Sequence, residues 1–371
     1  MTGLAKYEKI RPIGQGAAGQ VTLYKNIIDG KEYALKEIDL YNMQQKDKKA
    51  AHGEVTFLKV LKGPTIIKFH ENFSHGNSIF IVMEYCSKGN LDQLIQRRIQ
   101  SKAKFTTDQI LRTLAHIVMA VMAMHNRNIL HRDIKTQNIF ITENGICKLG
   151  DFGISRRLNH QDAKAMTSCG TPYFMPPEVC LGKPYDGKAD VWAIGVVLYE
   201  LIMLKKPFRG EAVQNVLQQI TKSSFEPLSN DVDSDLKMLV VALLNKDYNK
   251  RPSIFQVANF PAVKQQILAF IDENNIEHEV LEIIDLITSD HGSDSDEDLG
   301  KGVEYNVDRD NGNRGNAQIE EYQLENLEEW AYIMHKDIQM QDYKNGWFGK
   351  HTMCCRGEEI LNWLVDRVSP D

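Results

Sequence analysis

Two short clusters of polar residues carry the groups needed for one kind of chemistry. The first is the stretch HRDIKTQN, residues 131–138, and the second is DFG, which begins at Asp151. Asp133 can accept a proton from an attacking hydroxyl, and Lys135 can stabilise charge on a transferred group. Asn138 and Asp151 supply oxygen ligands, which magnesium prefers. Phosphoryl transfer needs a base, charge neutralisation and in-line positioning, and this set provides all three.

A glycine-rich stretch near the N-terminus suits phosphate binding. Gly14, Gly16 and Gly19 follow a short predicted strand, and backbone N–H groups approach phosphates closely where no side chain intervenes. Dinucleotide-binding folds and plain turns share this pattern, but a helix follows it in a dinucleotide site. Here the sequence from Val21 predicts a strand. This favours a hairpin that covers a nucleotide, with a plain turn as the alternative.

A lysine and a glutamate further along the chain form a second candidate pair. Strand alternation places Lys36 on the same face as Ala34, beneath the glycine hairpin, where its cation would meet the α- and β-phosphates. Glu54 lies on the apolar face of a helix predicted over about 43–61. A buried carboxylate needs a partner, and Lys36 is the natural one for Glu54.

These motifs occur in the order found in eukaryotic protein kinases, which the chain resembles over about residues 7–260. The resemblance implies transfer of the γ-phosphate of ATP, with magnesium, to protein substrates. Lys135, Thr136 and Thr171 point to serine and threonine acceptors. The stretches HRDIKTQNIFIT, LGDFGISR and CGTPYFMPPE resemble those of NIMA-related kinases. The alternative is a nucleotide-binding pseudokinase scaffold, which loss of a catalytic residue would have favoured.

The resemblance also assigns roles around the nucleotide. Met83 is implied to be the gatekeeper, main-chain groups of Glu84 and Cys86 to face adenine, and Phe140 to form the floor of its pocket. The full set implied to contact ATP is Gly14, Gly16, Gly19, Val21, Ala34, Lys36, Glu84, Cys86 and Phe140.

Support and regulation of the site are implied in the same way. Glu178, at the end of the activation segment, is expected to pair with Arg251, and Asp190 is expected to brace the catalytic loop. Thr167, shortly before Thr171, is the candidate activating phosphosite, with Ser168 as its competitor. A phosphate there would pair with Arg132 and Arg156.

The elements that must position these residues predict an α+β, bilobal fold. Five short strands dominate residues 7–85, and helical periodicity dominates from Leu91 onward. The predicted domains are a kinase domain at 7–263, a helical extension at 264–287, an acidic disordered linker at 288–318 and a partial DEP-like α/β module at 319–371. The extension either packs on the kinase, lies solvated or forms a weak dimer contact.

The last segment carries a second, weaker resemblance. Residues 357–364, GEEILNWL, together with a preceding helix and hairpin, resemble the start of a DEP domain. This implies docking to a membrane or a signalling partner rather than chemistry. An unrelated small helical module is the alternative. On the first interpretation, we expect the chain to end inside this domain.

Composition excludes several other classes. With a net charge of −6 and no dominant basic block, the 371-residue chain is not expected to bind nucleic acid. The N-terminus lacks a signal peptide, and the longest apolar run, 191–204, is too short to span a membrane and contains Glu200. The six cysteines lack zinc spacing, which favours reduced thiols. We therefore expect a cytoplasmic protein, and the family resemblance suggests a centrosome, microtubule or cilium.

Overall fold

The computed structural model of the chain describes residues 3–16, 19–41, 43, 48, 55, 58–151, 172–274 and 276. The chain divides into two units, Met1–Val303 and Glu304–Asp371, and every described residue belongs to the first. Several predictions therefore concern residues outside the described set. They are the predictions for Glu54, Arg156, Thr167, Ser168, Thr171, most of the helix at 43–61, the extension beyond Ile276, the linker 288–318 and the DEP-like segment 319–371.

The N-terminal part of the chain forms the β-rich lobe predicted from the sequence. Its antiparallel sheet has five strands in the order β1-β2-β3-β5-β4. Consecutive residues alternate between its two faces, so Tyr33 and Leu35 join one apolar cluster while Ile38 joins the main core. The strands are β1 (Tyr7–Gly16), β2 (Gly19–Asn26), β3 (Glu32–Asp39), β4 (Phe69–His75) and β5 (Ser78–Glu84).

The glycine-rich stretch forms the β1–β2 hairpin, in which Gly14 pairs with Val21 and Gly16 with Gly19. A strand rather than a helix follows it, as the sequence predicts. Gly19 has φ +133°, and a Cβ there would lie 1.9 Å from the Glu37 carbonyl oxygen. Only glycine fits this position, because any side chain would collide with the backbone of β3.

The second lobe is helical and is built around one central helix. Helix α4 (Gly187–Met203) has buried residues on all sides, which explains the long apolar run in the sequence. None of the described helices is long and apolar enough to cross a membrane. The other elements are α1 (Leu91–Gln100), α2 (Thr107–His125), β6 (Ile139–Ile141), β7 (Cys147–Leu149), α3 (Pro177–Cys180), α5 (Val213–Lys222), α6 (Ser234–Leu243), α7 (Ile254–Ala258) and α8 (Pro261–Glu273), with short 3-10 turns at Gly3–Lys6, Thr136–Asn138 and Tyr248–Lys250.

Helix α8 packs along α2 by both apolar and polar contacts. The Phe270 ring meets the His116 ring edge-on, with centroids 4.6 Å apart. Arg112 Nη1 donates to Glu273 Oε2 at 2.9 Å, in an ion pair near the same contact. These contacts support the prediction that the 264–287 extension packs on the preceding domain, at least over its first half. The dimer contact was predicted from an apolar repeat, of which only Ile276 is among the described residues. The other members are Val280, Ile283 and Ile287.

A buried histidine at this contact is held neutral. The Cys147 N–H donates to His116 Nδ1 at 3.2 Å, which places the ring proton on Nε2. His116 Nε2 is buried and has no hydrogen-bond partner among the described residues. Burial, together with the nearby Arg112 charge, lowers the pKa of His116 to about 4.

We therefore expect His116 to make the stability of this lobe depend on pH. The unfolded chain protonates His116 near its ordinary pKa, whereas the folded chain resists protonation until about pH 4. Above about pH 6.5, His116 is neutral in both the folded and the unfolded chain and costs no stability. Below that pH its protonation in the unfolded chain lowers the free energy of unfolding, by at most about 3 kcal/mol toward pH 4. Urea unfolding of the parent and of His116→Gln, which keeps an acceptor, should diverge over this interval. Parallel loss of stability in both chains would contradict the assignment.

Candidate active site

The catalytic loop between α2 and β6 gathers three of the predicted residues. Lys135 Nζ donates to Asp133 Oδ2 at 2.8 Å, and Asn138 Nδ2 donates to the same oxygen at 3.0 Å. Asn138 Nδ2 also donates to the Asp133 carbonyl oxygen at 2.8 Å, which ties the loop across its own turn. The Asp133 carboxylate is thus fixed in direction by two neighbours from the same short segment.

A buried carboxylate from α4 holds the backbone of this loop. Asp190 Oδ2 accepts from the His131 N–H, and Oδ1 accepts from the Arg132 N–H, both at 2.9 Å. His125 Nε2 donates to Oδ2 at 2.8 Å. Burial alone would raise the pKa of Asp190, but these donors outweigh it and the pKa is lowered. The brace implied for Asp190 is present. His125, its third partner, was missed in the sequence because no motif marks it.

The loop is linked to the strand that delivers Asp151. His131 Nδ1 accepts from the Asp133 N–H at 3.3 Å, and His131 Nε2 contacts the Gly150 carbonyl oxygen at 3.2 Å. Burial lowers the pKa of His131, so the neutral ring suits one donor and one acceptor contact. Arg132 and Asp151 have φ values of +65° and +52°. Such left-handed backbone costs on the order of 1 kcal/mol or more and persists because the surrounding bonds enforce it.

Lys36 reaches the same region from the opposite lobe. Its Nζ donates to Asp151 Oδ1 at 3.2 Å, and its side chain is nearly buried while that of Asp151 is 47% exposed. The structure therefore brings the predicted cation and the predicted metal ligand together. Glu54, the partner expected for Lys36, lies outside the described residues, so this pairing stays a prediction.

The cleft between the β-rich and helical lobes has a volume of about 830 Å³. A Cβ at Gly14 would find only ordinary contact, 3.9 Å from the Val21 Cβ, so nothing within the protein requires glycine there. Its place on the cleft wall suits the close backbone approach expected for a phosphate. Predicted residues that line the cleft are Gly14, Val21, Ala34, Glu84, Cys86, Lys135, Asn138, Phe140 and Asp151. Gly16 and Gly19 close the hairpin beyond it.

The segment after β5 offers backbone groups to the cleft. Lys148 Nζ donates to Glu84 Oε1 at 2.8 Å, which directs this side chain toward β7. The Glu84 N–H already donates to the Lys68 carbonyl oxygen at 2.9 Å. The Cys86 carbonyl oxygen already accepts from the Gly89 N–H at 3.2 Å. The Glu84 carbonyl and the Cys86 N–H are therefore the groups that fit the role implied for this segment. Burial raises the pKa of the Cys86 thiol to about 12, so it stays protonated.

A buried ion pair connects the end of the predicted activation segment to the start of α4. Arg251 Nη1 and Nη2 donate to the two Glu178 carboxylate oxygens at 2.7 and 3.0 Å. Arg251 Nη1 also donates to the Lys188 carbonyl oxygen, at the start of α4, at 2.9 Å. The pair implied by the sequence resemblance is thus present, and it joins the end of the activation segment to the helix that carries Asp190.

Two sets of polar contacts beside the catalytic loop were not predicted from the sequence. Asp92 Oδ1, on α1, accepts from Thr136 Oγ1 at 3.3 Å and from Gln137 Nε2 at 2.9 Å. Glu200 on α4 pairs with Lys206, which lines the cleft. Helical spacing predicts neither pairing, because Asp92 and Gln137 lie on different elements and Lys206 lies beyond the end of α4.

Comparison with known proteins agrees with this geometry. A family model described as the protein kinase domain matches residues 7–263, more than half of the chain. Mouse serine/threonine-protein kinase Nek1 is 39% identical over 276 residues, which is 74% of this chain and 23% of Nek1. Human Nek5 is 41% identical, with 74% of this chain and 39% of Nek5 covered. The chain thus spans less than half the length of these two relatives.

One relative is covered more completely. The Caenorhabditis elegans serine/threonine-protein kinase nekl-2 is 37% identical over 271 residues, which is 71% of this chain and 76% of that protein. The braced loop, the paired lysine and the family match lead to one conclusion. The chain belongs to the protein kinase family, among the Nek (NIMA-related) serine/threonine kinases.

Proposed function

We propose that this chain transfers the γ-phosphate of ATP to serine or threonine hydroxyls of protein substrates. The observation that carries the proposal is the Asp133 carboxylate, which Lys135 and Asn138 hold in direction beside a cleft that Asp151 also lines. A carboxylate in this position can accept the proton of an attacking hydroxyl while Lys135 stabilises the transferred group.

The nucleotide fits the cleft in one orientation under this proposal. Adenine lies against Phe140, Ala34 and Val21, with the Glu84 carbonyl and the Cys86 N–H as its hydrogen-bond partners. The triphosphate then runs toward Lys36 beneath the β1–β2 hairpin. Support comes from the cleft walls, to which five of these six residues contribute, and from the buried Lys36 cation at the end where the phosphates would lie.

The residues present also fit magnesium. The Asn138 amide and the Asp151 carboxylate supply oxygen ligands, and both line the cleft. The part of the chain that the structure describes has no group of three or more His, Cys, Asp or Glu residues able to hold a metal ion. Magnesium in such sites is held by one or two protein oxygens together with substrate phosphates, so two ligands suffice. Bound magnesium would neutralise charge on the phosphates.

A pseudokinase scaffold is the competing function. Binding without catalysis would require the loss of the cation, the base or the metal ligand. Lys36, Asp133 and Asp151 are all present, and two of them already pair with each other. This favours the enzyme.

Other parts of the proposal rest on the sequence. Docking of a signalling partner or membrane through residues 319–371, a weak dimer contact beyond Ile276, and a cytoplasmic location at the centrosome, microtubules or cilium stay predictions. They rest on the sequence alone.

We expect Asp133→Asn to lower the rate of peptide phosphorylation by about two to four powers of ten, because a general base contributes roughly that much. ATP affinity should barely change, since Asp133 faces the acceptor hydroxyl. Single-turnover transfer from labelled ATP, with nucleotide binding measured separately, tests both expectations.

Two further variants accompany this test, one at the predicted metal ligand and one as a control. Asp151→Ala should lose magnesium-dependent nucleotide binding together with turnover. Asp272→Asn makes the same change as Asp133→Asn on an exposed residue of α8 and should leave both measurements unchanged. Near-native phosphorylation by Asp133→Asn would show that the base is assigned to the wrong residue.

We further propose that phosphorylation of Thr167 activates the enzyme, with Arg132 as the partner of the phosphate. Arg132 precedes Asp133 directly, and its guanidinium lies over the Tyr185 ring, 5.5 Å from the centroid. A phosphate pairing with Arg132 would couple the activation segment to the base.

Thr167→Ala should therefore lower kcat by at least about tenfold, because a hydrogen bond to a charged group contributes about 1.5–3 kcal/mol. Mass spectrometry of the active chain should find phosphate on Thr167, and Ser168→Ala should retain activity. Full activity of Thr167→Ala, or phosphate on Ser168 alone, would overturn this assignment.

A further inference from the structure

A lysine in the cleft wall is held by a buried glutamate. Lys206 follows α4 and lines the cleft with Phe174 and Lys135. Its Nζ donates to Glu200 and lies 4.2 Å from the centroid of the Phe174 ring. The two charged side chains are only 17% and 5% exposed. Both charges are thus withdrawn from water and depend on each other.

This pair adjoins the end of the cleft where the acceptor hydroxyl must approach. The Asp92 carboxylate, whose charge acts on both Glu200 and Lys206, accepts a hydrogen bond at 3.3 Å from Thr136, the residue after Lys135. Lys135 in turn contacts Asp133 at 2.8 Å. Lys206 and Lys135 thus both line this part of the cleft, and Lys135 contacts the base. The residues expected at adenine lie on other elements, in β2, β3, β6, the end of β5 and the segment after it.

The charge balance of this wall depends on Lys206. Burial raises the pKa of Glu200 and lowers that of Lys206, and each group opposes the effect on the other. The Asp92 carboxylate acts on both groups from α1. Without Lys206, the buried Glu200 carboxylate would lose its cation, and a buried carboxylate requires one.

We propose that Lys206 determines substrate specificity. It takes up the Glu200 carboxylate, which could otherwise receive a basic side chain of the substrate. This inference deepens the proposed function and rests on it. While Lys206 pairs with Glu200, the cations Lys135 and Lys206 border the approach to Asp133. A lysine or arginine of the substrate near the acceptor hydroxyl therefore meets like charge. Peptides with neutral or acidic residues at that position are preferred.

The first measurement needs only the unmodified full chain. Peptides that share one acceptor serine carry Asp, Asn or Lys at each flanking position in turn, and kcat/KM is measured for each. At the position that meets this wall we expect the lysine peptide to be about tenfold worse than the asparagine peptide, since like charges brought together cost at least that much.

Substitution of Lys206 should reverse this preference. Lys206→Met leaves Glu200 without its cation, so kcat/KM for the lysine peptide should become about tenfold higher than for the asparagine peptide, a change of about a hundredfold in the ratio. KM for ATP should not move, which separates a change in specificity from general damage to the cleft. Lys206→Arg should keep the parental ratio.

The neighbouring lysine gives a matched control. Lys205 Nζ pairs with the half-exposed Glu226 at 2.6 Å and does not line the cleft. Lys205→Met should therefore keep the parental preference. If Lys206→Met does not fold, Lys206→Met/Glu200→Gln removes both charges, and its lysine and asparagine peptides should become nearly equal.

The outcomes separate this inference from the proposed function. Equal kcat/KM for lysine and asparagine peptides in the parent, or an unchanged ratio in Lys206→Met or in the double variant, overturns the inference alone. A parent that transfers phosphate to no peptide overturns the proposed function and the inference with it.

Discussion

The active site depends on the buried Asp190 carboxylate. It receives two backbone N–H groups from the catalytic loop and one ring N–H from His125. The loop needs such an anchor because Arg132 has a left-handed backbone that an isolated segment would not keep. Asp190 can serve as the anchor because α4 is buried on all sides and fixed by the core. The geometry of Asp133 thus follows from the packing of a helix that lies outside the catalytic loop.

Buried charges elsewhere in the structure also have partners of opposite charge. Arg251 and Glu178 form a paired contact with further bonds to backbone carbonyls, and Glu200 is matched by Lys206. Removing one partner of such a pair typically costs about 3–5 kcal/mol, because the other is left uncompensated. The Lys36–Asp151 pair differs, since the Asp151 side chain is 47% exposed. A charge that stays accessible in a cleft is available to a ligand, which supports the role proposed for this pair.

The sequence predicted the larger features well. The α+β fold, the five strands and the glycine hairpin followed from alternation and from the strand after Gly19. Contacts between distant helices were not predictable, because spacing carries no information about which helix faces share a core. His125 with Asp190 and Asp92 with Gln137 join elements that are far apart in the sequence. Lys206 and Glu200 are only six residues apart, but Lys206 lies beyond the end of α4, where helical spacing no longer applies. Lys36 was expected to pair with Glu54, and among the described residues it contacts Asp151.

The central claim is that Asp190 orders the loop that presents Asp133, and Asp190→Asn tests it most directly. Asparagine keeps the size of the side chain but has one acceptor oxygen, so one loop N–H loses its partner. We expect kcat for peptide phosphorylation to fall by about ten- to a hundredfold, as misplacement of a catalytic group by about 1 Å would cause. ATP affinity should stay close to that of the parent, whereas the thermal midpoint should fall by several degrees, because an unsatisfied buried N–H costs about 1–3 kcal/mol. A folded variant with parental kcat would contradict the account.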